Sequence, residues 1–121
     1  MTTENAIYIN DGHTVNGETV DFASAILDGI KKGETRTHKS LTQKPVGIVH
    51  DGYIIGRVQL GEPQILTKDS AEYADSLIEG TEYDIKPDQI KYYYPIIWTE
   101  DFRKNPKPVL QHGNYAKYIL D

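Results

Sequence analysis

The chain has 121 residues, enough for one domain with a single buried core, and residues 1–121 are therefore predicted to form one domain. It contains no cysteine, which excludes disulfides, a thiol nucleophile and thiolate zinc sites. The net charge of −5 disfavours general attraction to nucleic acid, because phosphate contacts need Lys and Arg. No apolar run approaches the roughly 20 residues of a membrane helix, and the N-terminus lacks a signal-peptide pattern. A cytoplasmic protein without a membrane partner is predicted.

The charge is distributed unevenly along the chain. Residues 30–45 carry five bases against one acid, and residues 91–117 carry five bases against two acids. The segments 1–28 and 62–90 hold most of the acids. If the two basic segments meet in the fold, they form a positive face; the alternative is two separate solvated stretches.

In the first third, the apolar pattern predicts a strand, a helix and a second strand. Residues 6–9, within an N-terminal extension of residues 1–19, are predicted as an edge strand. Apolar side chains recur at helical spacing over residues 20–31, with Asp21 near the cap and Gly33 as the expected stop. Residues 34–39 alternate like a strand, which puts Glu34, Arg36 and His38 on one face.

The middle of the chain contains a β-hairpin pattern. Residues 46–50 and 53–60 are β-branched and apolar, and Asp51-Gly52 between them is typical of a two-residue hairpin turn. Gly56 inside the second strand indicates a bulge or a bend. Residues 69–80 have a capping-box start and an apolar stripe, which predicts a second helix.

The last third is predicted to supply the central and closing strands. Residues 90–99 are rich in Tyr, Ile and Trp, and Pro95 among them requires a bulge or an edge position. Residues 101–114 are predicted as a loop and residues 115–120 as a final strand. This order of elements predicts an α+β domain, built as a small mixed β-barrel with two to three flanking helices.

Candidate functional residues lie where the first helix is expected to end. Glycine-rich phosphate loops and the common hydrolase motifs are absent, and the histidines lack metal-binding spacing, so no metal or cofactor is predicted. Gly29, Lys31, Glu34 and Arg36 fall within eight positions. A helix end that leads into a strand can direct a lysine and a carboxylate into one cleft, where they hold a polar ligand. The alternative is a surface ion pair of little energetic value.

The segment Gly29-Ile30-Lys31-Lys32-Gly33-Glu34-Thr35-Arg36 resembles the G-x-K-x-x-E-x-R motif of ASCH domains, a family with a PUA-like β-barrel. The similarity continues in order through residues 45–60 and through residues 74–80, which end in Glu79-Gly80. It extends to the tail, which contains Trp98, Lys107 and His112 before the closing strand.

This resemblance implies a PUA-like barrel with a ligand cleft between the motif helix and the barrel mouth. It also implies RNA or a nucleotide-like molecule as the partner. The ligand-binding residues expected on this basis are Gly29, Lys31, Glu34, Arg36, Lys39, Lys107 and His112.

Two alternatives stand beside this expectation. Bacterial relatives that hydrolyse acetylated cytidine use a lysine, a threonine and a glutamate; Lys31 matches the lysine and Glu79 the glutamate, but the threonine position holds Glu34. The first alternative is therefore a hydrolase of a modified nucleoside or of RNA, with Lys31 as base and Glu34 or Glu79 as its catalytic carboxylate. The second is a protein-interaction module with a protein partner, which is consistent with the net negative charge.

Overall fold

The computed structural model describes residues 2–9, 14–15, 18–19, 21–36, 39, 41–66, 91–113 and 115–120. The elements within them are β1 (Thr3–Tyr8), β2 (Thr14–Val15), β3 (Glu18–Thr19), α1 (Phe22–Leu27), β4 (Gly33–Arg36), β5 (Val46–His50), β6 (Tyr53–Leu60), β7 (Gln64–Leu66), β8 (Lys91–Asp101), β9 (Lys107–Pro108) and β10 (Ala116–Ile119). The second predicted helix, over residues 69–80, lies outside the described residues.

Eight of these strands form one mixed sheet. Its order is β10-β1-β5-β6-β8-β4, with β7 paired to β8 and β9 paired to β6. The β1–β5 pair is parallel, and the other pairs in this sheet are antiparallel. The mixed, strand-rich fold predicted from the sequence is therefore confirmed.

The described strands do not close into the predicted barrel. β4 and β10 are the two ends of the strand order β10-β1-β5-β6-β8-β4, and no backbone pairing among the described strands joins them. α1 is also the single helix within the described ranges, where two to three flanking helices were predicted. The structure thus confirms a small β-rich fold, but it does not contain a closed ladder of hydrogen bonds.

β1 is an interior strand, so the prediction of an edge strand is wrong. It pairs with β10 on one side, with Ala6 opposite Ala116, and with β5 on the other, with Ala6 opposite Gly47. The local pattern of residues 6–9 could not reveal this position, because both partners lie far along the chain.

The β5–β6 hairpin has the predicted bounds and turn. Asp51 and Gly52 have φ values of 50° and 81°, the left-handed pair that a type I′ turn requires. Gly56 pairs with Ile48 and Ile54 pairs with Val49, which leaves Ile55 as an extra residue in β6. The bulge predicted at Gly56 is confirmed at the adjacent position.

β8 changes partners at Pro95. Residues 92–95 pair with β4, whereas residues from Ile96 onward pair with β6. Ile97 is skipped in the β6 register, since Leu60 pairs with Ile96 and Gln59 with Trp98. The proline therefore lies at a break in the ladder beside a bulge, as its missing N–H requires.

The helix α1 covers one part of the sheet and shares its main core. Ile26 packs in the same cluster as Ile48, Val58, Leu60 and Tyr94, all of them buried. A second cluster gathers apolar side chains of β1, β5, β6 and β10. The end of α1 and the start of β4 are thus held against the first cluster.

We expect Gly56→Ala to lower the free energy of unfolding by about 1–3 kcal/mol, because a Cβ there overpacks the core. That Cβ would lie 2.5 Å from Leu27 Cδ2 and 2.8 Å from the carbonyl oxygen of Glu100. The leucine can move, but the backbone oxygen cannot. Urea denaturation measures the change.

Gly113→Ala is the matched control for Gly56→Ala, since its Cβ would have no neighbour closer than 3.7 Å. Equal stability of the two variants would contradict the close packing at Gly56.

Candidate functional site

The candidate site begins where α1 ends, and α1 ends earlier than the sequence predicts. Its last residue is Leu27, and Gly29 has a φ of 75°, the left-handed conformation that terminates helices. The prediction of Gly33 as the helix stop is wrong. Gly33 is the first residue of β4, where a Cβ would lie 2.3 Å from the ring of Tyr93. Glycine is needed there for close packing.

The start of α1 is fixed by a charged cap. Asp21 Oδ1 accepts the backbone N–H of Ser24 at 3.0 Å, and Oδ2 accepts the Ser24 hydroxyl at 2.8 Å. His50 Nε2 lies 3.4 Å from Asp21 Oδ2. Partial burial by itself would raise the pKa of Asp21, but the hydrogen bonds from Ser24 and the nearby His50 outweigh it, so the pKa lies below its ordinary value.

Lys31 is buried, with a side-chain exposure of 0%. Its Nζ donates a hydrogen bond to the carbonyl of Gly33, lies 3.7 Å from Glu34 Oε1, and lies 5.2 Å from the centroid of the Phe22 ring. The alternative of a solvated surface ion pair is therefore wrong. These contacts compensate an ammonium group that has been removed from water.

Glu34 lies opposite Tyr94 in the β4–β8 ladder and is also buried. Its Oε1 accepts the backbone N–H of Thr35 at 2.9 Å. Its Oε2 is buried, and no donor among the described residues forms a hydrogen bond with it. Arg36 Nη2 lies 4.0 Å from this oxygen.

The Arg36 side chain joins β4 to β1, a strand that has no backbone pairing with β4 among the described strands. Its Nη2 donates to the carbonyl oxygen of Tyr8 at 2.8 Å, at the end of β1. Its Nε is buried and has no acceptor within the described part of the chain. Among the described residues, Glu34 Oε2 is thus an acceptor and Arg36 Nε a donor without a hydrogen-bond partner. Each costs about 1–3 kcal/mol when it is left without a partner.

His112 is connected through Tyr8 to the side chains of Lys31, Glu34 and Arg36. The two rings stack with centroids 6.2 Å apart and an interplanar angle of 22°, and His112 Nδ1 lies 3.0 Å from the Tyr8 hydroxyl. The structure thus brings Lys31, Glu34 and Arg36 together and joins His112 to them across one residue.

The other predicted site residues lie elsewhere or outside the described residues. Lys39 is exposed. Lys107 lies on β9, with its Nζ 5.3 Å from the ring centroid of Phe102. Glu79 lies outside the described residues.

The two basic segments meet where β4 pairs with β8. Part of their charge is neutralised by acids, because Arg103 Nη2 lies 2.7 Å from both Asp28 Oδ1 and Asp101 Oδ2. Hydrogen bonds from Arg103 hold the pKa of Asp101 below its ordinary range.

Two contacts of the site were not predicted from the sequence. The Tyr8 carbonyl is a backbone acceptor 28 positions from Arg36, and no side-chain pattern marks it. The second contact is that of Lys31 with the Phe22 ring. Helical spacing predicts that Phe22 lies on the apolar face of α1, but the position of Lys31 above its ring depends on the early turn at Gly29.

Within the described ranges, no three His, Asp or Glu side chains lie close enough together to hold a metal ion. In the same ranges, no helix has the length and apolar character needed to cross a membrane. No family model, curated protein or solved structure matches this chain.

We expect Asp21→Ala to lower the free energy of unfolding by about 1 kcal/mol at neutral pH, because α1 loses its cap. The folded-state pKa of Asp21 lies below its ordinary value, so its stabilisation is fully present above that ordinary value. It is lost as the pH falls through the folded-state pKa. The stability difference from wild type should therefore narrow below about pH 4.

Asp21→Asn provides the control for Asp21→Ala, because it keeps the acceptor for the Ser24 N–H and removes the charge. It should retain most of the stability at neutral pH. Denaturant titrations of the three proteins over an acid series measure these effects. A constant difference between wild type and Asp21→Ala at all pH values would contradict the charged cap.

Removing the ammonium of Lys31 should destabilise the protein strongly. Lys31→Met leaves Glu34 as a buried carboxylate without this partner, and we expect a loss of about 3 kcal/mol or more. The double variant Lys31→Met/Glu34→Leu removes both charges and should recover part of that loss. A double-mutant cycle by chemical denaturation measures the coupling.

Lys32→Met, at an exposed neighbouring position, is the control for this cycle and should change stability little. Strictly additive losses for Lys31 and Glu34 would show that the two buried charges do not stabilise each other.

Proposed function

We propose that this chain is an ASCH-type module that binds single-stranded RNA, or a nucleotide-like ligand, through Lys31, Glu34 and Arg36. The observation that carries the proposal is that Glu34 Oε2 and Arg36 Nε have no hydrogen-bond partner among the described residues, on two side chains whose Oε2 and Nη2 atoms lie 4.0 Å apart. Nucleobase edges carry a donor next to an acceptor, such as the amino group and ring nitrogen of adenine or cytosine. Such an edge complements this pair.

The buried lysine supports the same proposal. The Nζ of Lys31 lies 3.7 Å from Glu34 Oε1, the oxygen that also accepts the Thr35 N–H. Glu34 therefore has one oxygen committed to the protein and one that can accept from a ligand.

A PUA-like architecture is part of the proposal. The hydrogen bond from Arg36 to the Tyr8 carbonyl joins β4 to β1, two strands at different places in the sheet order. A ring of strands β1-β5-β6-β8-β4 would be completed by this side-chain bond in place of a backbone ladder. The ligand cleft would then lie at the mouth of that ring.

Binding is favoured over hydrolysis by the surroundings of Lys31. A general base needs a free lone pair within reach of the substrate. The Nζ of Lys31 instead donates to the Gly33 carbonyl. The hydrolase alternative has the Lys31–Glu34 contact in its favour, but that contact positions a binding carboxylate equally well.

Arg36→Ala should weaken binding of single-stranded RNA by about 10-fold or more, because it removes a charged donor to the ligand. The probes are labelled homopolymeric hexaribonucleotides, with affinity measured by fluorescence anisotropy. Affinity should also fall as salt is raised. Glu34→Gln, which replaces one carboxylate oxygen with an amide, should change the base preference more than the average affinity.

Lys104→Ala is the matched control, since it removes an exposed cation without touching the site. Thermal melting confirms that each variant is folded. Absence of binding at low salt, or equal effects of Arg36→Ala and Lys104→Ala, would reject the proposal. Turnover of N-acetylcytidine that is lost in Lys31→Met would support the hydrolase instead.

A further inference from the structure

A pocket with a volume of about 300 Å³ lies beside β10, between Ile119 and the segment 107–110. This segment pairs with the start of β6 at one end. At its other end, the N–H of Leu110 donates to the carbonyl of Lys117 in β10 at 2.7 Å. Because backbone bonds hold the segment at both ends, the pocket between it and Ile119 is already formed in the chain alone.

The backbone of Ile119 faces this pocket. Along a strand, successive residues direct their N–H and C=O groups to opposite sides. The N–H of Leu120 donates to the carbonyl of Thr2, on the side of β1. The N–H and C=O of Lys117 instead bond to residues 110–111, on the other side of β10. Ile119, two residues after Lys117, therefore directs its N–H and C=O toward the segment 107–110.

The surface around the pocket is apolar and exposed. Leu110, in the pocket wall, is 60% exposed, and Pro108 is exposed as well. Tyr53, which lies opposite Pro108 in the β6–β9 pair, is 54% exposed. Val109 instead packs against the second core cluster and fixes the segment to the fold. Exposed apolar side chains that adjoin a pocket are typical of a surface that binds a partner.

The charges of this part of the chain favour an acidic partner. Residues 103–117 carry four bases and no acid, in a chain whose net charge is −5. Lys117 is exposed, and it shares a face of β10 with Ile119 because side chains two residues apart in a strand point the same way. An ammonium group therefore stands next to the apolar pocket, where it can meet a carboxylate of a ligand.

An extended peptide is the ligand that uses all of these features. When a peptide adds to the side of a strand, its main chain supplies hydrogen bonds, and pockets for its side chains supply specificity. Ile119 offers the backbone groups, and the pocket beside it offers space for an apolar side chain. A small apolar molecule could fill the pocket but would not bond to the backbone of Ile119.

We propose that the pocket beside β10 docks an extended, acidic segment of a partner protein. One residue of that segment pairs with Ile119, an apolar side chain of the segment occupies the pocket, and a flanking carboxylate contacts Lys117. The interaction uses neither Glu34 nor Arg36, so it is independent of the proposed binding of RNA.

The test uses a fluorescently labelled, blocked pentapeptide in which two aspartates flank the sequence Val-Leu-Val. We expect saturable binding to the wild-type protein by fluorescence anisotropy. Leu110→Asp replaces an apolar wall of the pocket with an acid and should weaken the affinity by about 10-fold or more. Ile97→Asp is the matched control, because Ile97 is 58% exposed, lies on β8 and does not line the pocket. It should leave the affinity unchanged.

Two further comparisons test the strand pairing and the charge. The three central residues of the peptide are N-methylated in turn. Because successive N–H groups of a strand face opposite sides, methylation of the leucine and methylation of its neighbours should have opposite outcomes, one weak and one strong. Lys117→Glu should reverse the preference between the aspartate peptide and a matching peptide with flanking lysines.

The inference is overturned if the aspartate peptide does not bind to the wild-type protein, or if Leu110→Asp and Ile97→Asp bind it equally. Equal effects of all three N-methylations would exclude strand pairing, and an unchanged preference in Lys117→Glu would exclude the acidic partner. Tighter binding of octanoate than of the peptide would assign the pocket to a small apolar carboxylate. Self-association in sedimentation that is lost in Leu110→Asp would assign it to a second copy of the chain.

Discussion

The buried ammonium of Lys31 is the constraint on which the candidate site depends. A charge removed from water is stable only if nearby groups compensate it, and here the Gly33 carbonyl, the Glu34 carboxylate and the Phe22 ring do so. All three belong to the short segment that runs from α1 into β4. The helix must therefore stop early enough for the chain to turn back over Phe22, and Gly29 in its left-handed conformation provides that stop.

Arg36 extends this local arrangement to the rest of the sheet. β4 is bonded by its backbone to β8 alone among the described strands, so its other side has no ladder. The bond from Arg36 to the Tyr8 carbonyl supplies one fixed point on that side. Because Tyr8 also contacts His112, Arg36 is connected to the segment before β10 through a single residue.

Sequence reasoning succeeded where the cause of a structure is local. Asp51-Gly52 determines its hairpin turn, and Pro95 prevents a regular ladder wherever it is placed, so both could be predicted from a few residues. It failed where distant segments decide the outcome. The interior position of β1 depends on β10, and the end of α1 depended on a choice between Gly29 and Gly33 that helical spacing alone does not make. The burial of Lys31 and Glu34 follows from the position at which α1 ends.

Glu34 Oε2 and Arg36 Nε, which have no hydrogen-bond partner among the described residues, are the atoms that the proposed ligand would pair. A buried acceptor and a buried donor without partners destabilise the folded chain, and side chains of the same shape without these polar atoms would avoid that cost. Their pairing with a ligand recovers the lost hydrogen bonds only when the ligand offers a donor and an acceptor in the matching order. A ligand that lacks either group leaves the buried atom unpaired and is rejected more strongly than by shape alone. Under the proposed function, selectivity of this kind would not depend on a strongly basic surface, which is consistent with the net charge of −5.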